Sequence, residues 1–277
     1  MVTFPNCKIN IGLHIIGKRA DGYHDLESIF YPSPVYDCLE IITLPNNQIE
    51  PALTTSGLSI SGNATDNICL KAWQRLKSDY PQLPAVAMHL HKTIPMGAGL
   101  GGGSADGAYV LKMLNEKYDL QLSEGQLIQY ALALGSDCPF FIINKPCFGS
   151  RRGEVLQPVS LDLSQYYFVI VNPGIHVNTG WAFKQLQIQS PALSLLQAVQ
   201  APVAAWRETV VNDFENVVAT KYPAIAQIKE ELYRQGAVYA SMTGSGSTVF
   251  GLFARKPLLP RFPEEYLVKV IAPKESF

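Results

Sequence analysis

Two stretches and two single residues of this chain have the types and spacing for phosphate chemistry. The first stretch is Ile94-Pro-Met-Gly-Ala-Gly-Leu-Gly-Gly-Gly-Ser-Ala-Asp106, with glycine at Gly97, Gly99, Gly101, Gly102 and Gly103 and no charge between Gly97 and Ser104. Ordering a glycine costs about 1 kcal/mol relative to alanine, so a mere turn has no use for so many. A glycine loop that opens a helix gathers unpaired backbone N–H groups and the positive end of the helix dipole at one point. Without Cβ atoms the backbone can fold into an anion-holding nest. The second stretch, Ser241-Met-Thr-Gly-Ser-Gly-Ser-Thr248, either binds phosphate or turns the chain tightly. Transfer of a phosphoryl group to an alcohol also needs a carboxylate at the attacking hydroxyl, a cation beside it and normally Mg²⁺ on the phosphates. Asp137 and Lys8 are the natural pair. A lysine within about 4–6 Å keeps such a carboxylate ionised despite burial.

Other phosphate loops fit less well. No Gly-Lys-Ser/Thr closes the loop, which excludes Walker A. Ser104 stands where a protein kinase has valine, and the chain lacks His-Arg-Asp and Asp-Phe-Gly. Gly97, Gly99 and Gly102 match Gly-x-Gly-x-x-Gly, the dinucleotide signature. That signature wants an acidic residue ending a strand about 20 residues on, and residues 119–126 read as a turn and a helix start.

The elements that must carry these residues follow from periodicity. Residues 4–16 alternate, with Ile9, Ile11, Leu13 and Ile15 on one face and Lys8, Asn10, Gly12 and His14 on the other. Lys8 and Asn10 thus point the same way, about 7 Å apart, on a face expected to be wet if this is an edge strand. Gly17–His24 is a polar loop that leaves Tyr23 and His24 beside an Asp-Gly turn, and Leu26–Tyr31 follows as a strand. Short strands are expected at 38–44 and 58–60, a helix capped by Thr65-Asp-Asn67 after them, and a strand at 86–91 leading into the glycine loop. His89 and His91 lie two apart on that strand and read as two histidines on a solvated face. Beyond the helix of 105–115, Ser123-Glu-Gly-Gln126 is a capping box for a second helix that ends at Gly135. Phe140–Ile143 reads as a buried strand, which holds Asp137 between a helix end and that strand. The second half has a core strand at 167–171, an exposed segment at 177–183, helices at 212–219 and 223–235, and strands at 249–253 and 267–271.

A chain of 277 residues, 47% hydrophobic and 16% charged, is a well-packed globule with room for two domains. Its 22 basic and 23 acidic residues give no field favouring nucleic acid or an anionic membrane. No apolar run approaches the ~20 residues of a membrane span, and the N-terminal residues lack the basic-then-apolar pattern of a signal peptide. The 5 cysteines are scattered, with no Cys-x-x-Cys or Cys/His cluster, which argues against a zinc site or a disulfide framework and makes the cytoplasm the expected compartment.

Lys8-Ile-Asn10, Pro95–Ser104 and Met242–Ser247 stand in the order of three motifs of the GHMP kinases (galactokinase, homoserine kinase, mevalonate kinase, phosphomevalonate kinase), and the chain resembles that family. With Arg19-Ala-Asp-Gly-Tyr-His24, Gly135-Ser-Asp-Cys-Pro-Phe-Phe141 and Asn212-Asp-Phe-Glu215, it is most similar to the branch that phosphorylates the 2-hydroxyl of a cytidine-diphospho methylerythritol in non-mevalonate isoprenoid synthesis. The alternative is another small-alcohol GHMP kinase, of the homoserine or mevalonate type; a non-catalytic binding protein on this fold is a further alternative.

The resemblance implies an α+β fold of two domains, 1–153 for ATP and 154–277 for the substrate, with the active site in the interdomain cleft. ATP is the implied donor and Mg²⁺ the implied ion, with no metal ligands assigned. Asp137 is the implied base and Lys8 its partner. Pro95, Met96, Gly97, Ala98, Gly99, Leu100, Gly101, Gly102, Gly103, Ser104 and Ala105 would cradle the ATP phosphates, with Asn67 and Lys92 at the adenosine end. Asn10, Tyr23, His24, Thr179 and Phe183 would hold the cytidine-diphosphate substrate, Tyr23 and Phe183 sandwiching the base and His24 reading its edge. Ala105 replaces a second serine usual in the family loop, and Arg151-Arg152 has no counterpart in this assignment. The expected partner is a small molecule, neither nucleic acid nor membrane, and the expected state is a monomer or weak homodimer.

Overall fold

The computed structural model describes residues 1–45, 47–60, 62–188, 191 and 193–273. Contacts divide the chain into two units. One comprises Met1–Lys8, Pro32–Met96 and Gly101–Lys145; the other comprises Ile9–Tyr31, Gly97–Leu100 and the chain from Pro146 onward. A single cut between 153 and 154 therefore does not follow the packing. The reason is strand pairing: Ser28, Ile29 and Phe30 pair with Gly149, Phe148 and Cys147, which ties an early segment to a late one.

In the first unit a sheet has the order Val2–Thr3, Cys38–Thr43, Val86–Lys92, Ala52–Gly57, the last two parallel. The strand expected at 58–60 lies earlier, at Ala52–Gly57, and stops where Gly57 turns to φ +79°. Val86–Lys92 alternates strictly, burying Val86, Met88, Leu90 and Lys92 and exposing His89 and His91. Those histidines bond Thr54 and Ser56 of the neighbouring strand. The helices Ile68–Asp79, Glu124–Leu134 and Cys138–Ile143 all pack on Gly102–Lys117. Asn67 caps the first, and the capping box at Ser123 and Gln126 is formed. Phe140–Ile143 is thus helical, not a strand. An apolar run this short has no period of its own, and Pro139 in the first turn favours the helix.

In the second unit the sheet order is Tyr239–Met242, Val249–Phe253, Tyr167–Asn172, Leu267–Ile271. The helices Asp213–Lys221 and Ala224–Arg234 contribute Phe214, Val218, Ile225, Ile228 and Leu232 to a core shared with Val169, Val171 and Val249. The segment read as exposed, 177–183, exposes Asn178, Thr179 and Gly180, buries Val177 and Ala182, and forms the helix Thr179–Gln185, capped by Asn178.

A third sheet has the order Asn6–Lys18, His24–Tyr36, Cys147–Ser150, Val155–Pro158. Its first strand is buried continuously from Asn6 to Ile15, on both faces. The wet face expected for Lys8, Asn10 and His14 is therefore absent, and each of these polar groups needs a partner inside the protein.

Candidate active site

Lys8, only 4% exposed in its side chain, places its Nζ 3.6 Å from Oδ2 of Asp137. Asp137 occupies the N-cap position of Cys138–Ile143, yet its side chain makes no capping bond. A capping carboxylate would be turned onto its own helix; this one faces a lysine, and its side chain keeps 37% exposure. A carboxylate that a reactant can reach, with a cation held beside it, is the arrangement that accepting a proton from an alcohol requires.

The glycine loop adjoins this pair. Gly101 is the N-cap of Gly102–Lys117 at φ +70°, and no side chain caps that helix. Its first N–H groups are thus left for a ligand. A Cβ at Gly101 would lie 3.0 Å from Cζ of Phe141 and 3.1 Å from Cγ of Lys8. The loop backbone therefore rests directly on the lysine and on the helix that carries Asp137. Ser104, in the first turn of the loop helix, hydrogen-bonds the Cys138 thiol, whose pKa burial raises to about 12 despite that bond.

Beside this helix lies a cleft of about 420 Å³ lined by Leu53, Ile60, Asn67, Ile68, Ser104 and Asp106, among others. Asn67 meets it from its capping position, where its Oδ1 accepts from Cys69 N–H at 2.9 Å. Lys92 is not presented to solvent. Its ammonium, wholly buried, bonds the Asp37 carboxylate and Asp106 Oδ2, the latter at 2.8 Å. Asp37 also accepts from Thr93 N–H at 2.6 Å and Ile94 N–H at 2.9 Å. Lys92 and Asp37 thus fasten the strand that enters the glycine loop to the helix that leaves it. Burial opposes the charge on Lys92, and the two acids outweigh it and raise its pKa. Burial lifts the Asp106 carboxyl to about 7, with Lys92 opposing and Asp37 assisting.

Within the second unit, Gly97–Leu100 lies on the turn between Met242 and Val249. Thr243 Oγ1 donates to Gly99 O at 3.0 Å and accepts from Asn10 N–H at 2.9 Å. A Cβ at Gly99 would sit 2.0 Å from Thr243 O, so only glycine fits there. The Gly/Ser stretch 241–248 therefore serves as a seat for the glycine loop. Asn10, 2% exposed, donates its Nδ2 to Ser28 Oγ at 2.8 Å. Thr179 Oγ1 bonds Ser245 Oγ at 2.9 Å.

The aromatic residues are arranged differently from the expected sandwich. The His24 imidazole is stacked on Phe183 with centroids 4.6 Å apart and planes 18° apart, and Phe214 meets Phe183 edge-on at 4.8 Å. One face of Phe183 is thus covered by His24. Tyr23, 56% exposed, carries the Arg152 guanidinium 4.8 Å over its ring.

Asp37, Asp106 and Thr243 are functional or supporting residues that the sequence reading passes over. Asp106 has a signal of its own, a carboxylate two residues after the loop serine, where a polyphosphate would repel it. Thr243 has none, because its bond to Gly99 spans 144 residues.

Residues 67–145 match the family described as GHMP kinases N terminal domain, and 196–265 match GHMP kinases C terminal. The fold and this pairing of glycine loop, lysine and aspartate define a GHMP kinase. A 4-diphosphocytidyl-2-C-methyl-D-erythritol kinase of Bacteroides fragilis strain YCH46 is 49% identical over 98% of this chain and 95% of its own length. One of Bacteroides thetaiotaomicron is 49% identical over 94% of each chain. A crystal structure of a 4-(cytidine 5'-diphospho)-2C-methyl-D-erythritol kinase superposes with a TM-score of 0.78 at 25% identity, covering 98% of this chain and 99% of that one. A homoserine kinase of Cytophaga hutchinsonii shares the fold at a TM-score of 0.63 and 14% identity, over 97% and 94%. The chain belongs to the family of 4-diphosphocytidyl-2-C-methyl-D-erythritol kinases.

Proposed function

We propose that this chain transfers the γ-phosphate of ATP to the 2-hydroxyl of 4-diphosphocytidyl-2-C-methyl-D-erythritol, a step in making isoprenoid precursors. The observation that carries the chemistry is Lys8 Nζ at 3.6 Å from a partly exposed Asp137 that caps nothing. In this reading Asp137 orients the hydroxyl and takes its proton, with the Lys8 ammonium held beside it. The uncapped N–H groups of Gly102, Gly103 and Ser104 hold phosphate oxygens, and most of the rate comes from positioning and electrostatics.

ATP lies with its nucleoside in the cleft beside Asn67 and its phosphates at the helix start. The Ser104 hydroxyl is the oxygen at the helix start that would hold Mg²⁺, beside phosphates drawn there by the N–H groups. The ion would be held largely by phosphate oxygens and would offset their charge. Lys92 acts by holding the loop in place rather than by touching the nucleotide. Asn10, Tyr23, His24, Thr179 and Phe183 belong to the acceptor. A cytosine between Tyr23 and Phe183 requires the His24 ring to leave the Phe183 face, which frees the imidazole to bond the edge of the base. The enzyme works in the cytoplasm as a monomer or weak dimer.

ADP release from ATP and Mg²⁺ with this acceptor, beside parallel reactions with homoserine and mevalonate, tests the reading. Turnover with the cytidine compound alone is expected. Turnover with homoserine or mevalonate in its place would remove the cytidine assignment, and no turnover with any acceptor would remove the kinase chemistry.

A further inference from the structure

One face of the sheet in the first unit is open and carries four side chains that the proposed phosphoryl transfer does not use. Glu40, His89 and His91 are exposed and Cys38 is partly exposed, while Leu39 and Leu90 between them are buried. Cys38 is a free thiol. The antiparallel register sets Cys38 directly opposite His91 and Glu40 directly opposite His89. The sequence holds no Cys/His cluster, and this strand pairing makes one. Directly opposed residues have Cβ atoms about 4.5–5.5 Å apart, and alternate residues of one strand lie about 7 Å apart. Two imidazoles and a thiol within that span form a set that a zinc-class ion takes, at about 2.0–2.1 Å from nitrogen and about 2.3 Å from sulfur.

The two imidazoles already act together. His89 Nε2 and His91 Nδ1 meet a single oxygen, Ser56 Oγ, at 3.0 and 2.9 Å. Thr54 Oγ1 lies 2.8 Å from the other nitrogen of His89. A hydroxyl has one hydrogen, so Ser56 donates to one ring and accepts from the other. With the rings leaning toward Ser56, no three ligating groups meet among the described residues. Turning them toward Cys38, on the other neighbouring strand, exchanges these bonds for bonds to water. At an exposed position that exchange costs about 1 kcal/mol per bond, and exposed side chains change rotamer within nanoseconds.

We propose that Cys38, His89 and His91 bind a divalent ion of the zinc class on this face, through the Cys38 thiolate and one nitrogen of each imidazole. Glu40, opposite His89, adds a carboxylate to the same face, and water completes the coordination. The ligands choose the ion. Thiolate and imidazole suit zinc, whereas Mg²⁺ takes oxygen ligands, so the ion expected with ATP does not compete here. Binding displaces the thiol proton to solvent. The occupied site ties the strand Cys38–Thr43 to Val86–Lys92 through side chains as well as through the backbone ladder.

The test is titration of the reduced full-length protein with Co²⁺, whose absorption reports its ligands, followed by displacement with Zn²⁺. The wild type is compared with Cys38→Ser, His89→Gln and His91→Gln. The wild type should bind one Co²⁺ with a thiolate-to-cobalt charge-transfer band that Zn²⁺ removes. Cys38→Ser should lose that band. Each histidine variant should bind Co²⁺ at least 10-fold more weakly, since even an outer-shell partner of a metal ligand is worth about 10–100-fold. A band that survives in Cys38→Ser lies on another thiol and overturns the proposal. Binding without the band leaves only a two-imidazole chelate and overturns it too, as does a protein that leaves the Co²⁺ spectrum unchanged. The three substitutions lie away from Lys8 and Asp137, so ADP release with Mg²⁺ should match the wild type and show that each variant folds. If Cys38→Ser does not fold, Cys38→Ala takes its place in the same titration.

Discussion

Two lysines in the first unit are almost equally buried, Lys8 at 3% and Lys92 at 1%, and both are held by aspartate. Lys92 meets two carboxylates whose side chains are 0% and 2% exposed, and it closes a strand onto a helix. Lys8 meets the Asp137 carboxylate, whose side chain is 37% exposed. Burial of the cation is common to both, so it separates nothing. Exposure of the acid does separate them. A carboxylate sealed behind its lysine holds structure, whereas one that opens to solvent while its lysine is sealed can meet a substrate.

That contrast yields its largest expected effect at Asp137. Asp137→Asn should lower kcat by about 10²–10⁴-fold, the range for removing a general base, while calorimetric ATP binding and the thermal midpoint stay close to wild type. A comparable loss of ATP affinity would make Asp137 structural, like Asp37. Next come the lysines themselves. Lys92→Met leaves two carboxylates buried without their cation and should destabilise by about 3–5 kcal/mol in urea unfolding. Lys8→Met leaves an acid that water already reaches and should cost about 1 kcal/mol or less, although it too lowers kcat. Equal stability losses in the two variants would erase the distinction.

The last effect is on pH dependence. Burial lifts the Asp106 carboxyl from 3.8 to about 7 in the folded chain. Between those values the folded state holds a proton that the unfolded state has released, so this group's contribution to stability falls as pH rises. Urea unfolding at pH 5 and pH 8 should show a steeper decline for the wild type than for Asp106→Asn. The difference is a few kcal/mol at most, at ~1.4 per pKa unit. Parallel slopes would mean that Lys92 keeps Asp106 ionised throughout.

Much of this was readable before any coordinates. The alternation of residues 8–15 put Lys8 and Asn10 on one face of a strand, and the capping signals at Asn67 and Ser123 marked two helices. The strict alternation of 86–92 also put Lys92 on the face of Val86, Met88 and Leu90, which is a core face, so its burial was legible although its partners were not. Asp37 lies 55 residues away from it. The strand Asn6–Lys18 looked half wet because its polar partners come from distant segments: Thr243 for Asn10, Asp213 for His14, Asp137 for Lys8. Periodicity reports which faces differ, not what covers them. Phe140–Ile143 was misread because four apolar residues carry no period, and the His24–Phe183 stack joins segments no local pattern connects.

The account turns on Lys8 acting through Asp137, and a double-mutant cycle tests it most directly. Single-turnover rates of ADP formation would be measured with 4-diphosphocytidyl-2-C-methyl-D-erythritol for Lys8→Met, Asp137→Asn and the double variant. Residues that act as one unit give grossly non-additive losses. The double variant should therefore be no slower than the slower single variant. Losses that multiply would show two independent contributions, and would contradict the pairing on which the proposed mechanism stands.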